Sequence, residues 1–191
     1  MATVASPFGF VLRKHPTGQS RANAYTIDAS YATAIGYGDA VTLNTNGTLN
    51  VGPAGTTDLI GVFAGVHYKD ATGKPTYSKN WPGAVAGATE IVAYVYDDPE
   101  NVYEVQVASG GTGYVQTAIG AQANLVAGTV NAVTGQSTMA LNSTLIAAAS
   151  QGQFRIVGFG SDGLYDASTN TFPTVLVQIA QHQFVANKTA I

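Results

Sequence analysis

The sequence predicts an all-β protein, a β-sandwich or barrel of short antiparallel strands with an extended N-terminal arm. Three observations carry that prediction. Runs rich in Val, Ile, Tyr and Thr recur along the chain, and these side chains suit a pleated, half-buried surface. Gly, Pro, Asn and Asp clusters separate the runs at short intervals. No segment keeps a 3.6-residue apolar period over the length that a helix needs. Short strands with turns between them favour a sandwich or barrel over an α/β fold.

Residues 1–25 lack a clean period and make the arm. Phe8, Phe10, Val11 and Leu12 form a short apolar patch, followed by the polar strap Arg13-Lys14-His15-Pro16-Thr17-Gly18-Gln19-Ser20-Arg21. Such a patch cannot bury itself alone. It folds back on the body or onto a neighbouring subunit, and the neighbour is the favoured expectation. From Tyr25 to Tyr68 the pattern turns to β. Ala40–Leu43 and Thr48–Val51 flank Asn44-Thr45-Asn46-Gly47, where Asn-Gly supplies the positive φ of a tight hairpin. Ile60–Tyr68 reads as a longer strand whose glycines mark a bend, a bulge or a close backbone approach. Asp70–Pro75 is a turn, and Tyr77 to Trp81 follows.

Glu90 to Val107 carries the clearest hairpin signal. Two Val-, Ile- and Tyr-rich runs flank the polar turn Asp97-Asp98-Pro99-Glu100-Asn101. In the second run Tyr103, Val105 and Val107 alternate with Glu104 and Gln106, which predicts one buried and one wet face. The first run is apolar on both faces and predicts a central, doubly covered strand. Ala108 to Gln153 is rich in Gly, Ala, Thr and Asn. It contains strand-like Leu125-Val126 and Gly128–Val130, and a single helix-like turn at Leu145–Ala149. Phe154–Phe159 and the alternating Val175–Phe184 complete the strands. Pro82–Ala88 reads as a join, dividing the chain into the arm (1–25) and β-rich subdomains at 26–88 and 89–191.

Composition narrows the function classes. The chain is 46% hydrophobic and only 10% charged, against about 25% charged residues in ordinary soluble domains. A surface so poor in charge suits a protein largely covered by partners. There are no cysteines, so disulfides and thiolate chemistry are excluded. No apolar run reaches the ~20 residues that span a bilayer, and no secretory leader is visible, which predicts a chain made in a cytoplasm with no membrane partner. Net charge is −3 but uneven. Residues 1–27 hold Arg13, Lys14 and Arg21 without a carboxylate (+3), while 90–104 hold Glu90, Asp97, Asp98, Glu100 and Glu104 without a cation (−5). The acidic total and the lack of a basic, aromatic-interleaved stripe argue against nucleic acid.

Motifs for chemistry are mostly missing. His15, His67 and His182 have no second ligand at metal spacing. The acidic turn 97–101 lacks the spacing of a calcium loop. Gly110–Gly113 opens no helix, as a phosphate cradle would, and Gly160–Gly163 is a turn, not a nucleophile elbow. The N-x-T/S triplets at Asn46, Asn142 and Asn187 are chance in an Asn- and Thr-rich chain without a secretory signal. No cofactor and no catalytic group are expected.

The strand-and-turn stretches at 96–106 (Tyr-Asp-Asp-Pro-Glu-Asn-Val-Tyr-Glu-Val-Gln), 119–128, 154–159 and 175–183 resemble structural proteins of tailed bacteriophages. They are most similar to capsid cement or decoration proteins of short-tailed phages. Phe8-Gly9-Phe10, Tyr31–Ile35 and Gly38–Val41 fit the same group. The resemblance covers most of 8–184, and it implies a β-rich virion protein on the capsid exterior, made in the host bacterial cytoplasm. There it would bridge major capsid protein subunits, with the strap around Phe8, Phe10, Arg13, Lys14 and Arg21 docking against the shell or a neighbouring copy. Low charge and exposed apolar strands also suggest self-association as a dimer or trimer. The rivals are a head–tail adaptor or tail component, and a carbohydrate-binding β-sandwich that would stack sugars on Tyr77 and Trp81. An enzyme ranks last and would need a pocket around Glu104 or Asp162.

Overall fold

The computed structural model describes residues 4–55, 57–109, 114–160 and 171–185. Gly110–Gly113, most of the Gly160–Gly163 turn with Asp162, and the triplet at Asn187 lie outside them. The fold is all-β, and the described residues include a 3₁₀ turn at Gln116–Ala118.

Two main sheets form the body. The first joins β2 (Ala22–Tyr25), β7 (Thr89–Tyr96), β5 (Gly61–Lys69), β3 (Ala40–Leu43) and β4 (Leu49–Val51), in that order. The short β6 (Pro75–Ser78) pairs with the far end of β5. The second joins β1 (Val11–Lys14), β8 (Val102–Gln106), β13 (Thr174–Ile179), β12 (Phe154–Phe159) and β9 (Gln122–Ala123). A small ladder of β10 (Leu125–Val126) and β11 (Ala140–Leu141) sits beside the second sheet. All these ladders are antiparallel.

Alternation assigns the two faces of the first sheet. Ala40, Val62 and Tyr96 share one rung and pack with Tyr103, Val105, Phe154, Ile156 and Val177 of the second sheet. Val41, Phe63, Ala93 and Val95 point the other way. They meet Ile27, Ile35 and Trp81, which arrive on the connecting segments before β3 and after β6. The chain therefore stacks connecting segments, first sheet and second sheet, with a core on each side of the first sheet. β7 is the central neighbour of β5 and β2, so the sequence position 88/89 falls inside one sheet.

Several local expectations hold. β3 and β4 form the Asn46-Gly47 hairpin, with Gly47 at φ +80. The bulge in β5 lies between Phe63 and Gly65, and Gly65 takes φ +137. Other expectations are corrected. β7 and β8 do not pair with each other: Asp97–Asn101 is an arch that carries the chain from one sheet to the other. The wet face is on the other arm as well. Glu104 and Gln106 of β8 are buried, whereas Tyr94 of β7 is exposed. The cause is the N-terminal segment: Gln106 accepts from the Ser6 backbone N–H (2.8 Å) and donates to the Val4 carbonyl (3.4 Å), while Arg13 covers Glu104. Leu145–Ala149 contains no helical turn.

Candidate functional site

The arm, expected as a strap for a neighbour, is woven into the chain's own body. Phe10 is 1% exposed and stacks on Phe154, with ring centroids 4.3 Å apart and planes 9° from parallel. β1 and β2 then add edge strands to the second and first sheets respectively. Pairing skips Arg13, because Leu12 faces Tyr103 and Lys14 faces Val102. This bulge turns the guanidinium onto the buried Glu104 carboxylate. Of the residues expected to reach a partner, Phe10 faces the core, Arg13 is committed to Glu104 and Phe8 is half-buried. Lys14 and Arg21 are exposed.

Arg21 lines a shallow cleft of about 690 Å³ between the β1–β2 connection and the arch. His15, Asn23, Asp97, Asp98 and Phe184 also line it. Its two carboxylates are already engaged. Asp97 accepts from Asn23 Nδ2 (2.8 Å) and the Tyr25 hydroxyl (2.5 Å), and burial with this carboxylate holds the Tyr25 hydroxyl pKa well above its usual value. Asp98 accepts from the Glu100 backbone N–H (2.9 Å), which lowers its pKa, and the His15 ring at 3.2 Å adds to that effect. The Asp97 carbonyl accepts from His182 Nε2 at 3.0 Å. His182 can donate there because its Nδ1 accepts from the Phe184 backbone N–H (3.1 Å), which fixes the tautomer. The arch is thus tied to β2, to the arm and to the chain segment after β13. These bonds hold the arch in place, and Arg21 is an exposed cation of the cleft lining. Among the described residues no three His, Cys, Asp or Glu side chains come together as a metal site. Among the same residues no helix is long and apolar enough to cross a membrane.

The aromatic pair nominated for sugar stacking is separated by the fold. Trp81 is fully buried, donates Nε1–H to the Tyr31 carbonyl (3.1 Å), and meets Tyr68 edge-on at 5.5 Å. Tyr77 stands out on β6, 79% exposed. It faces His67, directly opposite on β5, and His67 in turn meets Tyr94 on β7. Sequence reasoning missed His67 and Tyr94 because cross-strand neighbours are distant in sequence. Glu104, nominated for an enzyme pocket, is the buried partner of Arg13.

No family model, curated protein or solved structure matches this chain.

Proposed function

We propose that this chain is a structural virion protein that binds the outer surface of a phage head and stabilises the shell by bridging major capsid protein subunits. The observation that carries the reading is where the phage-like stretches fall. Residues 96–106, 119–128, 154–159 and 175–183 supply β8, β9, β12 and β13, four of the five strands of one sheet. These four stretches therefore converge on the second sheet, while 119–128 also supplies β10 and Gly38–Val41 enters β3 of the first sheet. The sparse charge also supports a life covered by partners. A protein that binds only the assembled shell stabilises it by mass action, and repetition over a lattice multiplies modest contacts.

Lys14 and Arg21 are the arm residues available for docking. Their joint replacement, Lys14→Glu with Arg21→Glu, is expected to reduce co-sedimentation with capsids while leaving the melting curve unchanged. The reading as a whole is tested by quantitative mass spectrometry of purified virions. A ratio to the major capsid protein near one, or of one to a few, is expected. A handful of copies per particle would favour a head–tail adaptor or tail component, and absence from virions would refute the reading.

A further inference from the structure

The face of the first sheet that packs on the second does not end where the second sheet ends. Tyr96 packs against the inter-sheet core. Tyr94, two residues earlier on the same face of β7, lies beyond it and is exposed. Beside Tyr94 the β5–β6 ladder places His67 and Tyr77 on one rung. The three rings form a continuous strip: His67 lies 5.4 Å from Tyr77 and 5.8 Å from Tyr94, with the Tyr94 hydroxyl 3.1 Å from His67 Nδ1. Tyr77 is 79% and Tyr94 37% exposed, and His67 between them is half-buried.

A shallow cavity of about 320 Å³ adjoins this strip, lined by Gly65, Tyr77, Ser78, Lys79 and Tyr94 among others. Gly65 pairs with Tyr94 and has no side chain, so backbone floors the cavity between β6 and β7. The bulge at Ala64 interrupts the ladder there. Lys79 is the charged residue of the lining. Its Nζ lies 5.3 Å from the centroid of the Tyr37 ring, and among the described residues it has no carboxylate partner.

We infer that the Tyr77–His67–Tyr94 strip and Lys79 form a binding site for an acidic saccharide. The face of a pyranose presents C–H bonds, which complement the electron-rich face of an aromatic ring. Its rim of hydroxyls needs hydrogen-bonding groups, and the Tyr94 hydroxyl, which makes one bond to His67, has capacity for a second. Lys79 supplies the charge complement for a sugar carboxylate. Nucleic acid is disfavoured, because one lysine on a chain of net charge −3 lacks the cationic track that phosphates require. The site shares no lining residue with the Arg21 cleft, and it does not depend on the virion reading.

Native affinity electrophoresis of the intact chain tests the inference, with gels containing polygalacturonate, neutral dextran or oligothymidylate. A negatively charged protein has no general attraction to polygalacturonate, so retardation there reports a specific site. Retardation by polygalacturonate is expected, with affinity falling about tenfold in Tyr77→Ala and also falling in Lys79→Gln. Unchanged mobility in polygalacturonate would overturn the inference, as would full retardation of Tyr77→Ala or equal retardation by oligothymidylate. Equal retardation by dextran, unaffected by Lys79→Gln, would overturn the acidic class of ligand.

Discussion

Tyr77 and Trp81 stand four residues apart and have opposite environments, which sets opposite expectations for their removal. Trp81 fills the core between the first sheet and its covering segments, and its N–H is satisfied by Tyr31. Trp81→Ala is expected to cost about 3–5 kcal/mol, read as a lower urea midpoint. Tyr77→Ala is expected to stay within about 0.5 kcal/mol of the parent. Asp39 gives a prediction in pH. It is buried and accepts from the Gly36 backbone N–H at 2.6 Å, and burial raises its pKa above 3.8. The folded state therefore keeps this proton to higher pH than the unfolded chain does. The stability it adds is present below the unfolded value and is lost as pH rises through the folded one. Asp98, held low chiefly by the Glu100 backbone N–H, and Asp28 and Asp70, held low by the Ser30 and Thr72 hydroxyls, have the opposite sign. Their contribution is present above the unfolded value and lost as pH falls. Asp39 thus offsets part of the acid loss. In Asp39→Asn the drop in unfolding free energy between pH 7 and pH 3 should exceed that of the parent, and an equal or smaller drop would count against the assignment.

At the scale of elements, the β7–β8 arch shows what strand patterns encode and what they omit. Both strands form where alternation and residue type predict, and the turn between them is the acidic pentapeptide. Their partners were not legible, because alternation specifies a face and not a neighbour. Pairing follows from competition: β2 and β5 occupy the two edges of β7, and β1 and β13 occupy those of β8. The burial of Glu104 was equally invisible, since its cover comes from Arg13, 91 residues away. The close approach read from the glycines of β5 is real at Gly61. A Cβ there would lie 2.3 Å from the Tyr96 carbonyl oxygen and 2.7 Å from a Val95 methyl. Neither can retreat without breaking the β5–β7 ladder, so Gly61→Ala should cost about 1–3 kcal/mol or more. Thermal melting checks this, and an unshifted transition would mean that the ladder yields easily.

For the whole molecule, the N-terminal segment is a structural member of both sheets. Deleting residues 1–24 removes β1, nearly all of β2 and the Phe10–Phe154 stack. The expected product is aggregated or unfolded by circular dichroism, so this deletion cannot report on docking. The exposed pair Lys14 and Arg21 can. The candidate surfaces share this dependence on assembly in three dimensions. The cleft joins the arm, the arch and Phe184, and the aromatic strip joins three strands.

The sequence by itself determined the all-β class, the places of most strands, the Asn46-Gly47 hairpin and the irregularity of β5. These depend on short-range rules: a two-residue period, turn chemistry and the special backbone range of glycine. Tertiary structure alone decided the β7–β8 arch, the burial of Glu104 and Trp81, the capture of the arm by its own chain, and the meeting of Tyr77, His67 and Tyr94. Those outcomes rest on contacts such as Ser6 with Gln106 and Leu43 with Gln183, separated by 100 and 140 residues. Which edges pair and which faces are covered is settled by competition among all the strands at once, and no single stretch of sequence carries a local trace of it.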